Sequence, residues 1–96
     1  MKIWKWSLGA LGSYVIEMPT GVRLLHVGLD PTGKPCVWGL FESGPGRPCL
    51  RRIAILGTGQ AFPEDMSANN YVGTFTAFGR LVCHVFDLGE WPAEDD

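Results

Sequence analysis

Residues able to hold a phosphate or another small anion are the first chemistry that this sequence offers. Gly57-Thr58-Gly59 follows an apolar run, and glycine lets backbone amides approach an oxyanion closely. Arg51 and Arg52 lie in the same run, and a guanidinium offers a forked positive charge suited to phosphate or carboxylate. Neighbours in a strand point to opposite faces, so only one of the two can serve such a pocket. The further glycine, the lysine and the helix of a phosphate-binding loop are missing, which leaves a tight turn or bulge as the alternative.

His84 is the candidate for acid–base chemistry. A small hydrolase would use its imidazole as a general base with a carboxylate such as Asp87 or Glu17. Cys83 adjoins His84 but points to the opposite face of an extended chain, so the two cannot act as a nucleophile and its base. We favour a structural histidine with a hydrogen-bonded ring. Neither Cys-x-x-Cys nor His-x-His occurs, and we predict no metal site, no cofactor and no catalytic residue.

The aromatic residues Trp38 and Tyr71 admit two interpretations. Aromatic side chains on strands mostly build a core, but an exposed ring can also stack on a base. Residues 1–86 carry eight basic and five acidic side chains. A net charge of +3 over that length is too sparse to neutralise many phosphates, which disfavours nucleic-acid binding. A single nucleotide is easier to accommodate. The predicted ligand-binding residues are therefore Arg51, Arg52, Thr58, Trp38, Tyr71 and His84.

The elements that must position these residues are strands. Seven short apolar runs, each closed by Gly, Pro, Asp or Asn, follow one another without an amphipathic helix among them. The turn residues of Asp30-Pro31-Thr32-Gly33 and of Gly79-Arg80 predict tight hairpins. The sequence therefore predicts an all-β fold, a small antiparallel meander forming a β-sandwich or barrel. The predicted strands are residues 2–8, 13–18, 22–29, 35–41, 49–56, 71–78 and 81–87.

Length and charge predict one domain with a tail. Ninety-six residues, 46% of them hydrophobic, suffice for one modest core. The last ten residues hold five acidic side chains and no basic one, as is typical of a solvated terminus. We therefore predict a single β domain over residues 1–87 and an acidic C-terminal tail over residues 88–96. Because an open sheet leaves two edges unpaired, we expect either barrel closure or a homo-oligomer.

Cysteine usage and hydropathy predict a cytoplasmic protein without a membrane segment. Cys36, Cys49 and Cys83 are an odd count with no close pair, which fits a reducing compartment. Lys5 interrupts the apolar stretch that a signal peptide would need. No run reaches the roughly 20 apolar residues that cross a bilayer.

Several segments resemble a family of small proteins encoded by phages and prophages, over residues 1–87. They are Lys2-Ile3-Trp4-Lys5-Trp6, Ile16-Glu17-Met18-Pro19, Gly33-Lys34-Pro35-Cys36-Val37-Trp38, Gly57-Thr58-Gly59, Tyr71-Val72-Gly73-Thr74-Phe75 and His84-Val85-Phe86. The resemblance implies a phage origin and supplies no catalytic residues. Residues 88–96 extend beyond the pattern.

Together these observations favour a non-enzymatic binding module in the cytoplasm of a host cell. Small phage proteins outside the virion often inhibit host machinery by stoichiometric binding. The leading hypothesis is a module that counters host defence, either by blocking an effector protein or by sequestering a nucleotide signal. The alternatives are a structural or accessory phage protein and a small hydrolase using His84.

Overall fold

The computed structural model describes residues 1–9, 11–42, 47–77 and 79–91. Between β5 and β6 the chain makes one 3-10 turn at Ala68–Asn70, and the described residues contain no α-helix. Each predicted strand overlaps an observed one. Phe78, the predicted last residue of the sixth strand, and residues 43–46 of the predicted loop lie outside the described residues. The strands are β1 (Lys2–Ser7), β2 (Gly12–Pro19), β3 (Arg23–Leu29), β4 (Pro35–Phe41), β5 (Pro48–Gly57), β6 (Tyr71–Ala77) and β7 (Leu81–Trp91).

The described residues form two antiparallel sheets. One has three strands in the order β1-β4-β3 and the other four in the order β2-β5-β7-β6. The sheets do not close on each other, so the sandwich is the alternative that the structure confirms. In a meander each strand pairs with the next one along the chain. The structure shows this for β3–β4 and β6–β7, whereas β1 pairs with β4 and β2 pairs with β5. The connectivity differs from a simple meander because the chain passes from one sheet to the other between β1 and β2.

Both predicted hairpins are present. The β6–β7 pairing runs from Ala77 and Leu81, so its connection is one residue longer than the predicted two. Local hydrogen bonds explain the first hairpin. The Asp30 carboxylate accepts bonds from the backbone N–H of Thr32 and of Lys34, at 2.9 and 3.0 Å. Gly33 has a φ of 85°, which glycine adopts without a steric penalty. These bonds hold the turn between β3 and β4 in the conformation that the sequence predicted.

The main core lies between the two sheets. Its most buried members come from both sheets and are Val27, Val37, Ile53, Ile55 and Val85. The sheets approach closely where β3 crosses β6, because a Cβ added to Gly73 would lie 2.8 Å from Cγ2 of Val27. Gly73 is therefore required by packing, since a side chain there would collide with the facing sheet.

A second cluster covers the outer face of the four-stranded sheet, the face turned away from the other sheet. Ala54, Leu56 and Phe86 are buried there with Met66 and Leu88 packed against them. Met66 belongs to the connection between β5 and β6, which folds back over this face. Such small apolar clusters under long loops are common in single domains. The connection is thus anchored beside the predicted site residues on β5 and β7.

The predicted boundary between domain and tail at residue 88 differs from the observed end of β7. This strand continues to Trp91 and pairs with β5, Trp91 lying opposite Leu50. Gly89, with a φ of 90°, accommodates a bulge in this pairing, and the Glu90 carboxylate accepts a bond of 2.9 Å from the Gly21 N–H. Two of the acidic side chains assigned to the C-terminal run, Asp87 and Glu90, therefore belong to the folded sheet. Residues 92–96 lie outside the described residues.

Candidate functional site

Arg51 points into the sandwich and is bound internally. Only 8% of the residue is exposed. Its Nε donates to Oδ1 of Asp87 at 3.1 Å, and its Nη2 donates to the carbonyl oxygen of Val22. Its Nη1 lies 3.8 Å from Sδ of Met18. A guanidinium held by internal partners stabilises the junction of β2, β5 and β7 and presents no free fork to a ligand.

Arg52 lies on the opposite face of β5, as strand alternation predicted. It is exposed and faces Val15 across the β2–β5 pairing. No hydrogen bond or ion pair joins it to another side chain in the part of the chain that the structure describes. Three residues of β5 lie between it and Leu56, the pairing partner of His84, so the structure does not bring Arg52 to the histidine.

Trp38 is placed on the other sheet. It lies on β4, whose neighbouring residue Val37 is fully buried in the core, so Trp38 faces outward on the three-stranded sheet. Its ring packs beside His26, with ring centroids 5.9 Å apart. The two sheets separate Trp38 from Thr58, Tyr71 and His84, and a single small nucleotide cannot contact both groups.

Thr58, Tyr71 and His84 are brought together on the outer face of the four-stranded sheet. Oγ1 of Thr58 lies 2.7 Å from Nε2 of His84, and Oγ1 of Thr74 lies 3.1 Å from Nδ1 of the same ring. The Tyr71 hydroxyl in turn bonds to Oγ1 of Thr74. A continuous chain of hydrogen bonds therefore runs from Tyr71 through Thr74 and His84 to Thr58.

The chain of bonds defines what His84 can do. Neutral imidazole has one donor and one acceptor nitrogen, so one threonine hydroxyl accepts from the ring and the other donates to it. Asp87, the first carboxylate predicted to assist His84, points to the opposite face of β7 and binds Arg51. Glu17 lies on β2, which β5 separates from β7. The described residues therefore do not assemble the histidine–carboxylate pair of the hydrolase hypothesis.

Exposed aromatic rings border this network. Phe86 packs against Phe62 and Tyr71, with ring centroids 5.4 and 5.6 Å apart. Both of these outer rings remain accessible, Tyr71 being 51% exposed. We refer to Thr58, Phe62, Tyr71, Thr74 and His84 as the Tyr71 face. It combines hydroxyl groups that can donate or accept with flat apolar surface.

Tyr71 also borders a polar cleft between the two sheets. The cleft has a volume of about 360 Å³, and Asn69, Asn70 and Asp87 are among the residues that line it. Asp87 is the carboxylate that binds Arg51. Tyr71 is therefore the residue that the Tyr71 face shares with the cleft lined by the Asp87 carboxylate.

Gly57-Thr58-Gly59 forms a tight turn whose amides bind within the protein. The Thr58 N–H donates to the carbonyl of Val82 at 3.2 Å, and the Gly57 N–H donates to Oε1 of Gln60 at 3.0 Å. Gly59 has a φ of 92°. Amides bound in this way do not form a phosphate cradle, and the turn is the alternative that the geometry supports.

Thr74 and Phe62 belong to the Tyr71 face although no sequence argument singled them out. Thr74 lies opposite His84 across the β6–β7 hairpin. Counting outward from the predicted two-residue Gly79-Arg80 turn would have placed Phe75 opposite His84, because the observed pairing of Ala77 with Leu81 shifts the register by one residue. The position of Phe62 depends on how the connection between β5 and β6 folds back, and no local pattern indicates that.

Comparison with known proteins shows to which family the chain belongs. A family model described as a domain of unknown function, DUF7352, matches residues 1–94. The chain belongs to the DUF7352 family. This match runs past residue 87, where the resemblance was expected to end, so the DUF7352 domain includes the whole of β7. No curated protein and no solved structure matches the chain.

The cysteines and acidic residues of this DUF7352 domain do not form a metal centre within the described ranges, where no group of three or more His, Cys, Asp or Glu side chains could hold an ion. Cys36, Cys49 and Cys83 are free thiols. Burial raises the pKa of all three, so they stay protonated near neutral pH. Lys5 and Lys34 lower the pKa of Cys36, and Arg51 lowers that of Cys49, but burial has the larger effect at both thiols.

No helix in the described part of the chain has both the length and the apolar character needed to cross a membrane.

Proposed function

We propose that this DUF7352 protein is a non-enzymatic binding module that holds a partner protein against the Tyr71 face. One observation carries the proposal. Both ring nitrogens of His84 are bound by threonine hydroxyls, with no carboxylate beside them among the described residues. Such a histidine is oriented by its neighbours and forms part of a preorganised polar surface.

A protein partner suits this surface better than an anionic ligand. The described lysines and arginines form no hydrogen bond or ion pair with the Tyr71 face, and Arg51 is engaged by Asp87. Exposed tyrosine is enriched among the residues that dominate binding energy at protein interfaces. Its ring buries apolar area, and its hydroxyl offers a hydrogen bond at small cost in side-chain entropy.

The biological setting of the proposal comes from the resemblance to phage and prophage proteins. A module of this kind would act in the cytoplasm of a host cell and counter host defence by blocking an effector protein. It would work stoichiometrically, because blocking requires occupancy of a surface and no turnover.

Capture followed by titration tests the proposal. Immobilised protein is exposed to host lysate, and each captured protein is then purified and titrated by calorimetry against wild type, Tyr71→Ala and Leu29→Ala. Leu29 is an exposed apolar residue on the three-stranded sheet and serves as the matched control. We expect Tyr71→Ala to raise the Kd at least about tenfold, or about 1.4 kcal/mol, while Leu29→Ala leaves it unchanged. Equal affinity for all three forms would refute the assignment to this face.

Nucleotide sequestration is the second candidate, because an exposed tyrosine ring beside hydroxyl groups can stack on a base. Calorimetry with cyclic and ADP-ribose-type nucleotides tests it, and Tyr71→Ala should abolish any heat of binding. Recovery of the nucleotide unchanged excludes the hydrolase alternative, since an enzyme would consume it. Co-purification with phage particles would instead support a structural or accessory role.

A further inference from the structure

The β1 edge of the three-stranded sheet, one of its two edges, carries the further inference. In the part of the chain that the structure describes, β1 pairs with β4 along one edge and with no strand along the other. Its apolar residues are unusually accessible, Ile3 being 57% and Trp4 58% exposed. We propose that β1 is the interface of a homodimer, in which the β1 strands of two copies pair antiparallel about a two-fold axis through Trp4.

The direction of the backbone groups in β1 determines which residues can pair across that edge. The Leu8 N–H donates to the carbonyl of Pro35 at 3.0 Å, so the Leu8 backbone faces β4. Backbone groups of successive residues in a strand point to alternate sides. The N–H and C=O of Trp4 and Trp6 therefore also face β4, while those of Ile3 and Lys5 face the open edge.

A two-fold antiparallel pairing must place outward-facing residues opposite each other. The register centred on Trp4 meets this condition, with Ile3 opposite Lys5 of the second copy and Met1 opposite Ser7. The two Trp4 residues then form a pair that is not hydrogen-bonded, the type in which Cα atoms are about 4.5 Å apart and side chains are closest. This register aligns all of residues 1–7.

Charge and strand overlap favour this register over the two alternatives centred on adjacent residues. Centring the axis on Lys5 places two ammonium groups opposite each other, which is unfavourable. Centring it on Ile3 leaves Trp6 without a partner strand. With the axis at Trp4, Lys2 of each copy instead lies opposite Trp6 of the other, on one face of the sheet, where an ammonium group can contact the face of an indole ring.

Lysines on an edge strand usually prevent such pairing by projecting a solvated charge. Lys5 is held differently, because its Nζ lies 2.9 Å from Oδ2 of Asp30 within the same sheet. Asp30 is fixed in turn by the Thr32 hydroxyl and the Lys34 amide, which with Lys5 keep the pKa of its carboxyl well below the usual range. The charge of Lys5 is thus compensated within its own chain.

The self-complementary register favours a second copy over a foreign strand. Because the interface is isologous, every pair except the Trp4 pair on the axis occurs twice. The product is a continuous six-stranded sheet made from both copies. The Tyr71 face lies on the other sheet and stays accessible, so the dimer does not depend on the function proposed above and would present that face twice.

Two variants test the proposal on the full chain by sedimentation equilibrium. Wild type should have twice the 10.5 kDa mass of one chain. Ile3→Pro removes an N–H that faces the open edge and spares the bonds to β4, and proline is tolerated on edge strands. We expect it to raise the dimer Kd at least tenfold, whereas Ile3→Thr, which keeps the N–H, should have a smaller effect. Matching circular dichroism spectra establish that both variants are folded.

Oxidative cross-linking reports the register directly. Trp4→Cys should form a disulfide-linked dimer, because Cα atoms about 4.5 Å apart are within disulfide range. Lys2→Cys lies on the same face of the strand and is the control. It should not cross-link, because in this register position 2 of each copy lies opposite Trp6 of the other copy. A monomeric wild type overturns the proposal, as does a dimer that Ile3→Pro leaves intact. Cross-linking of Lys2→Cys in preference to Trp4→Cys refutes the register.

Discussion

Replacing Arg51 by methionine should destabilise the fold far more than the same change at Arg52. Methionine keeps most of the aliphatic volume, so the loss is chiefly that of the guanidinium. Asp87 then loses its ion pair, and the carbonyl of the buried residue Val22 loses its donor. Removing one member of a buried pair costs about 3–5 kcal/mol. The Asp87 side chain is 24% exposed and can partly rehydrate, so we expect about 3 kcal/mol.

Urea denaturation of wild type, Arg51→Met and Arg52→Met measures this difference. Arg52 is exposed and without a side-chain partner among the described residues, and such substitutions usually change the free energy of unfolding by less than about 0.5 kcal/mol. In thermal unfolding, Arg51→Met should lower the Tm by roughly 12 to 24 °C. Adding Asp87→Leu to Arg51→Met removes the unpaired carboxylate and should recover part of the loss.

The result bears on function as well as stability. If Arg51→Met and Arg52→Met unfold at the same urea concentration, the internal ion pair contributes nothing. The reasoning that removes Arg51 from the ligand-binding residues would then fail. A large effect at Arg51 alone supports the assignment of its guanidinium to the junction of the strands.

Three further predictions concern packing, pH and thiol reactivity. Gly73→Val should lower the free energy of unfolding, measured by urea denaturation, by about 1–3 kcal/mol, which is the usual effect of adding atoms to a packed core. A Cβ at this position would lie 2.8 Å from Cγ2 of Val27. An unchanged midpoint would show that the sheets can separate there. The pKa of Asp30 is lowered in the folded state, so its stabilising effect is present above the unfolded pKa of about 3.9 and is lost as pH falls below it. The difference in stability between wild type and Asp30→Asn should therefore shrink in acid, and a difference independent of pH would contradict the assigned bonds. Cys36 and Cys83 are buried with raised pKa values, so 5,5′-dithiobis(2-nitrobenzoic acid) should label them only after denaturation, whereas rapid labelling of the native protein would show that these sites open.

The candidate site was predicted in part. Strand alternation alone indicated that Arg51 and Arg52 face opposite ways and that His84 points away from Cys83. It could not indicate which face of β5 is buried, and the arginine that faces inward proved to bind Asp87. Trp38 was grouped with Tyr71 by residue type, but β4 pairs with β1 and β3 in one sheet while β6 pairs with β7 in the other.

Seven strands, the β3–β4 and β6–β7 hairpins and the all-β class follow from the sequence by itself, because side-chain alternation and turn propensity depend on residues within a few positions of each other. The tertiary structure decided which strands share a sheet, that β7 continues to Trp91, and that Thr58, Tyr71, Thr74 and His84 meet on one surface. These features depend on contacts between residues far apart in the chain. The free energy of such contacts comes from burial and from the pairing of particular partners, and no local pattern of residues specifies the partner.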